Sequence, residues 1–315
     1  LIQLNEPLGA VYHDATIAFV EEDTMEIRTI LAAVSGGAAS FGAVDLACRL
    51  ARRFGSHVEA FHVQLDPREI AVAAADPFGA PLAGVFIEEA MRDSAENRTR
   101  ARGVFDDAVR RHGLPVCNDA PPPGSDPVLL HQPSAGWREE KGYSATTIAN
   151  RARLFDLLVL GRSGRVIDEP HGESVEEALL TSGRPVLIAP AEPPKVLGDT
   201  IAIAWNDSPE CAKALAAAMP LLTRARVVHV LSIGQTDAAD LAGHLAWYGI
   251  RASADPVDPV KGVGTGELVL AAARDHQADL LVMGGYGHTP WRELLFGGAT
   301  REVVGTSLLP LLLAH

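Results

Sequence analysis

The chain has 315 residues, 47% hydrophobic and 21% charged, a globular balance whose length suits two domains of about 150 residues. Its formal net charge of −13 argues against general affinity for nucleic acid or anionic membrane, because nothing would offset phosphate repulsion. No apolar run reaches the roughly 18 residues needed to span a bilayer.

Residues 1 to 24 lack a basic n-region and a small-residue cleavage site, so no signal peptide is expected there. Met25 precedes the first convincing strand, and residues 1–24 read as an extension outside the core fold. ILAAV (30–34) is the first strand, AVDLACRLARRF a helix and HVEAFHV (57–63) the second strand. AVAAADPFGAPLAG (71–84) and NDAPPPGSDP (118–127) are rich in Ala, Gly and Pro and read as mobile surface loops. Between them a helical pattern runs from about 84 to 112, stopped by Gly113 and Pro115. VLLHQ (128–132) reads as the third strand, SATTIANRARL as a helix, LLVLG as a strand, SVEEALLTSG as a helix and PVLIA as the last strand.

After the Pro-rich AEPPKVLGD (191–199) the series restarts. TIAIAW, SPECAKALAAAMPLL, RVVHVLS, a helix near 237–247, a weak strand near 251–255, ELVLAAARDH, DLLVMG, WRELLFGGATREVVG and LPLLLA follow in turn. FDLLVLGRSG matches ADLLVMGGYG at a spacing of 123 residues, with Asp156 and Asp279 in register and the glycine pairs 161/284 and 164/287 kept. RTILAAVSGG matches DTIAIAWNDS at 171, so the first copy carries about 48 extra residues. Apolar strands alternating with helices imply parallel sheets covered on both faces. The expected organisation is therefore an α/β chain of two tandem doubly wound five-stranded parallel-sheet domains, at 25–190 and 200–315, joined by 191–199.

In such a sheet, ligands sit past the carboxyl ends of the strands, where the strand order reverses. In the second copy the end of the first strand (Ala204, Trp205, Asn206), the end of the second (His229, Val230) and the loop after the fourth converge there. Gly284 and Gly287 permit close backbone approach, and Gly297, Gly298 and Thr300 fall at the start of a helix whose free amides favour an anion. A tight turn that holds nothing is the competing reading.

G284-x-x-G287, nine residues, then G297-G298-A299-T300 resembles the nucleotide-binding signature G-x2-G-x9-G-[S/T] of the universal stress protein (UspA-like) family. AWNDSPECAKAL and ADLLVMG resemble the family's first strand and helix and its fourth strand, and the resemblance covers roughly residues 26–315 as two tandem domains. It implies an adenine nucleotide alpha hydrolase-like fold that binds ATP or AMP, with or without Mg²⁺. It also implies a pseudo-dimer in which the last strands, PVLIA and LPLLLA, pair. Carried over, Asn206 stands where the family has an aspartate near ribose and adenine, Val230 at an adenine-contacting strand end, and Gly284, Gly287, Gly297 and Thr300 match directly. Gly298 replaces a phosphate-binding Ser/Thr, a loss of about 1 kcal/mol, and His288 and Arg292 could add positive charge. In the first copy Ser35 replaces the aspartate, and Gly164 is followed by Gly172 after only seven residues, with Asp168 and Glu169 just upstream. That copy reads as a degenerate partner domain, although Arg162 and Arg165 keep a second site open.

KGVGTGE (261–267) lacks the order of a phosphate loop and reads as a flexible loop. The 11 histidines show no HExxH or paired spacing, so no metal site is expected, and His57, His62 and His229 are assigned to packing. Cys211 reads as a small core residue. Three scattered cysteines without a CxxC pair suit a reducing, cytoplasmic setting. No catalytic residue is assigned: no GxSxG elbow and no general base beside the glycine loop appears, so ATP hydrolysis would be slow at best. The expected partners are an adenine nucleotide and a second copy of the chain in a homodimer, with neither nucleic acid nor membrane. The alternative is a nucleotide-free protein of the same fold that works through protein contacts.

Overall fold

The computed structural model describes residues 26–64, 66, 83–162, 172–233, 237–285 and 307–315. Two copies of a five-stranded parallel unit merge into one sheet. The first copy runs β1 (Thr29–Ala33), α1 (Ala39–Phe54), β2 (His57–Gln64), α2 (Ala83–His112), α3 (Pro127–Leu130), β3 (Ser134–Lys141), α4 (Ser144–Ala152), β4 (Leu157–Gly161), α5 (Gly172–Thr181) and β5 (Val186–Ala189). The second runs β6 (Thr200–Trp205), α6 (Pro209–Leu222), β7 (Val227–Ile233), α7 (Ala238–Ala246), β8 (Ala252–Val257), α8 (Thr265–Asp275), β9 (Leu280–Gly284) and β10 (Leu311–Ala314). The strand order is β3-β2-β1-β4-β5-β10-β9-β6-β7-β8. Neighbours are parallel except at the centre, where β5 and β10 run antiparallel with Leu312 opposite Leu187.

That central seam is the pairing of last strands expected from the sequence. Val186, Leu187 and Ile188 are wholly buried, as are Leu311 to Leu313 to within 1%. At about 1.5–3 kcal/mol for each large side chain, the seam is a strong driving force for joining the halves. The linker is pinned as well: Arg49 donates to the Pro194 carbonyl, and Arg53 to those of Leu197 and Arg224.

The aspartates that revealed the repeat hold the first strand of each copy to the fourth. Asp156 Oδ2 accepts from Arg28 N, Thr29 N and Thr29 Oγ1 at 2.9 to 3.0 Å. Asp279 accepts from Gly198 N, Asp199 N and Thr200 N at 2.6, 3.0 and 3.2 Å. These backbone donors lie just ahead of or at the strand start, where no ladder partner would meet all of them.

One element differs from the sequence reading. VLLHQ is not the third strand: its first part forms the short helix α3, and β3 is the following SAGWREEK. Asp126 Oδ1 accepts from Val128 N, and Pro127 opens the turn, which favours a helical start over an extended run. β3 escaped notice because it is an edge strand with a half-exposed, charged pattern. KGVGTGE is a turn leading into α8, with Gly264 at the helix N-cap. The insertion loop 67–82 and residues 1–25 lie outside the described residues. No described helix is long and apolar enough to cross a membrane.

Candidate functional site

In the second copy, β6 ends at Trp205 and the chain turns sharply into α6. Asn206 Oδ1 accepts from Ser208 N at 3.2 Å and from Cys211 Sγ at 2.8 Å. Ser208 Oγ in turn caps α6 by accepting from Cys211 N at 3.2 Å, and Pro209 starts the helix. Asp207, between them, sits at φ +59°, a left-handed conformation that aspartate tolerates better than most residues. The backbone donor of Ser208 fixes the orientation of the Asn206 amide, since only its oxygen can accept. An amide at this place offers a donor, Nδ2, where a carboxylate would only accept. Cys211 is buried as expected, and its thiol also locks this turn.

Beside this turn lies a cleft of about 800 Å³ lined by Trp205, Asn206, Asp207, Leu215, Asp237, Asp240, Leu241 and His244. Leu215 comes from α6, and Asp237, which caps α7 through Ala239 N at 2.8 Å, leads into the helix carrying Asp240, Leu241 and His244. The cleft opens past the carboxyl end of β6, which pairs with β7 on one side and β9 on the other. This is the point where the strand order reverses, the usual place for a ligand in an open α/β sheet. Of the lining residues only Trp205 and Asn206 were singled out in the sequence. The others sit on a short helix with no motif, and only the sheet order brings them to the cleft.

Gly284 ends β9, and packing gives it a reason of its own to be glycine. A Cβ there would lie 2.6 Å from Cys211 N and 2.7 Å from the Glu210 carbonyl carbon. The start of α6 presses directly on this residue, so packing alone demands glycine. Gly161 shows the same in the first copy, where a Cβ would lie 2.1 Å from the Ala39 carbonyl oxygen. Val230 is not at a strand end. It lies mid-strand in β7, opposite Ile203 and Ala254, and is wholly buried. β7 continues to Ile233 because Leu231 and Ser232 still find partners on β8. Gly287, His288, Gly297, Gly298 and Thr300 lie outside the described residues, as do Arg292, Gly164, Arg165, Asp168 and Glu169.

In the first copy the corresponding turn packs against a helix. Ser40 Oγ accepts from Ser35 N and Gly36 N at 3.0 Å each, folding the β1–α1 turn onto itself. The backbone carbonyl of Asn97, from α2, lies 2.2 Å from where a Cβ on Gly36 would be. Gly36, at φ +88°, is thus both a left-handed turn and the contact point for an overlying helix. Arg162, just past β4, is buried; among the described residues its Nε and Nη1 have no partner, and Nη2 lies 3.5 Å from the Leu309 carbonyl. Burial pushes its guanidinium down to about 10.

His229 is more than a packing residue. Its Nδ1 lies 2.9 Å from Ser253 Oγ and 3.0 Å from Asp255 Oδ2, and its ring stacks on His276 with centroids 4.1 Å apart. Burial would raise the Asp255 pKa, but hydrogen bonds from Ser253 and His229 and the nearby imidazoles outweigh it and hold the carboxyl below its ordinary value. These residues come from β7, β8 and the end of α8, so no local spacing announces them.

The geometry defines a class: a tandem chain with the universal stress protein fold, two five-stranded parallel units joined through their last strands. The comparisons agree. The chain is 24% identical over 182 residues to the universal stress protein Slr1230 of Synechocystis sp., a match covering 50% of this chain and 57% of that relative. By structure it is similar to a universal stress protein from Archaeoglobus fulgidus, with a TM-score of 0.63 at 14% identity, covering 92% and 96% of the two chains. A putative universal stress protein from Pseudomonas aeruginosa gives 0.51 at 16% identity, with 91% and 93% covered. No protein-family model matches the chain.

Proposed function

We propose that the second copy binds an adenine nucleotide, ATP or AMP, in the cleft between β6, α6 and α7, and that the chain acts as a stress-response or signalling module in the cytosol. The observation that carries this reading is the open cleft of about 800 Å³ at the strand-order reversal, with the Asn206 amide fixed by its own turn. Its volume falls in the range of small-molecule sites, about 300–1,000 Å³. Trp205, Leu215 and Leu241 offer apolar surface to a base. Asp207, Asp237 and Asp240 can accept from ribose hydroxyls or an exocyclic amine. The phosphates would extend toward Gly287, His288, Gly297, Gly298 and Thr300, with the Gly298 amide as donor. Mg²⁺ would screen the phosphates from the carboxylates. Val230 and Gly284 would then support the site from within the fold rather than face the ligand. The three free cysteines suit a reducing compartment, and sedimentation would read whether two chains pair as a homodimer.

A second reading has its own support. The cleft walls carry three carboxylates, and Glu210 stands in the first turn of α6. All four disfavour a polyphosphate. On that reading the same fold works through protein contacts without a nucleotide.

Mass analysis of small molecules released from gently purified protein separates the two, followed by thermal unfolding with millimolar ATP and Mg²⁺. The first reading expects a released adenine nucleotide, and stabilisation of about 2.7 kcal/mol at a ligand concentration 100 times Kd. Gly287→Val should abolish that stabilisation and leave the ligand-free midpoint in place. No ligand and no shift would favour the second reading. A shift that survives Gly287→Val would move the site elsewhere.

A further inference from the structure

The cluster around His229 has a counterpart in the first copy with the opposite charge pattern. Leu31 pairs with Glu59 as Ala202 pairs with His229, so these two residues occupy equivalent places. Phe61 pairs with Arg138 as Leu231 pairs with Asp255. In the first copy the place is filled by an ion pair: Arg151 Nε and Nη2 donate to the two Glu59 oxygens at 2.7 Å each, and Arg138 Nε donates at 3.2 Å. One carboxylate meets two guanidinium groups.

In the second copy the arginines are gone from this place. Arg274, which the 123-residue spacing aligns with Arg151, donates instead to its own helix at the Leu270 carbonyl, 3.2 Å away. What remains is two imidazoles, a carboxylate and a hydroxyl. One ligand atom from each of His229, Asp255 and His276 lies within 4.8 Å of the others. All three residues are part-buried, the side chains of His229 and Asp255 being 16% and 26% exposed. Ser253 Oγ also donates to Asp255 Oδ2 at 2.5 Å, which orients the carboxylate.

We infer that His229, Asp255 and His276 form a binding site for a divalent transition-metal ion of the Zn²⁺ type, the cation standing where the first copy has its guanidinium groups. Two neutral imidazole nitrogens and a carboxylate oxygen are the donors that such ions take, with water completing the shell. Metal–ligand lengths of about 2.0–2.2 Å require the donors to draw closer than 4.8 Å, a movement within reach of side-chain rotation. The two rings are already stacked 4.1 Å apart, so both imidazoles reach the same spot. Hydrogen bonding alone explains the Asp255 contacts, but it does not account for a second histidine brought from another element against the first.

The site is separate from the cleft. Successive residues of a strand point to opposite faces. Val230 joins the core beneath α6 and α7, whereas Leu231 packs with Val269 and Leu270 of α8. The inference therefore does not rest on nucleotide binding.

The test uses the full chain without a histidine tag, stripped with a chelator and titrated with Zn²⁺ against a competing chromophoric chelator. Co²⁺ absorption serves as a spectroscopic report on the ligands. One Zn²⁺ per chain is expected, with visible Co²⁺ bands and a rise in the thermal midpoint. His276→Ala should weaken Zn²⁺ binding by at least about tenfold and remove the Co²⁺ bands, while His244→Ala, in the cleft, should change neither. If His276→Ala does not fold, His276→Gln carries the same expectation. No stoichiometric binding of Zn²⁺ or Co²⁺ to the folded chain would overturn the inference. So would binding that both His276 variants leave unchanged.

Discussion

The two copies share a strand order, an aspartate holding each first strand to its fourth, and a glycine where β4 or β9 meets the helix that follows the first strand. They differ in what lies over the end of the first strand. In the first copy the 30-residue α2 reaches across and sets the Asn97 carbonyl against Gly36. In the second the corresponding helix, α7, has nine residues, and a cleft stands open beside Asn206. The fold provides the same place twice, and the helix between the second and third strands decides whether it is available. The same contrast recurs on the other sheet face. There Glu59 is paired with two arginines, whereas His229, His276 and Asp255 bring one ligand atom each to within 4.8 Å of one another.

The largest expected effect probes what the copies share. Gly161→Ala and Gly284→Ala should each destabilise the chain by about 2–3 kcal/mol, because the new Cβ meets backbone that cannot swing away. Denaturant midpoints of the two variants measure it. If Gly284→Ala leaves stability intact and alters only nucleotide binding, the packing explanation fails and the two glycines have different reasons.

The next effect probes a difference. Arg162 occupies the place that the 123-residue spacing gives to Gly285, and both backbones make the same bond, to Ala189 and Ala314 at 2.8 and 2.7 Å. Only the first copy carries a buried guanidinium there, with two nitrogens that find no partner among the described residues. A buried charge without a partner costs more than an apolar group of similar shape. Arg162→Met should therefore raise stability by about 1–2 kcal/mol at low anion concentration. A loss of stability instead, with added phosphate stabilising the wild type but not the variant, would mean that the arginine holds an anion.

Much of this was legible in the residues. Apolar runs of four to seven residues mark the strands, and a repeated aspartate and glycine mark the duplication. The pairing of PVLIA with LPLLLA followed from the resemblance. β3 was not legible, because an edge strand with Arg138, Glu139 and Glu140 lacks the apolar period that marks buried strands. The cleft was half legible. Asn206 stood out beside its strand, but Asp240 and His244 reach the site only through the placing of α7. The His229 cluster was invisible for the same reason, since residues 229, 255 and 276 converge only once β7 pairs with β8 and α8 packs beneath.

The smallest effect concerns His57. It pairs with Thr29 where the second copy sets Val227 against Thr200, so only the first copy carries an ionisable group there. Burial lowers the His57 pKa, and the charge of Glu59 offsets this only in part. The folded chain therefore binds that proton less readily than the unfolded chain, whose imidazole titrates near 6.5. Stability from this residue is complete above 6.5 and is lost as pH falls through 6.5 toward the lower folded value. His57→Gln can keep a hydrogen bond to Ser134, which now lies 2.9 Å from Nδ1. Urea midpoints taken at about pH 7.5 and about pH 5 should fall less steeply for His57→Gln than for the wild type. Equal slopes would show that the imidazole is as free to take a proton in the fold as outside it, and that the two copies respond to acid alike at this position.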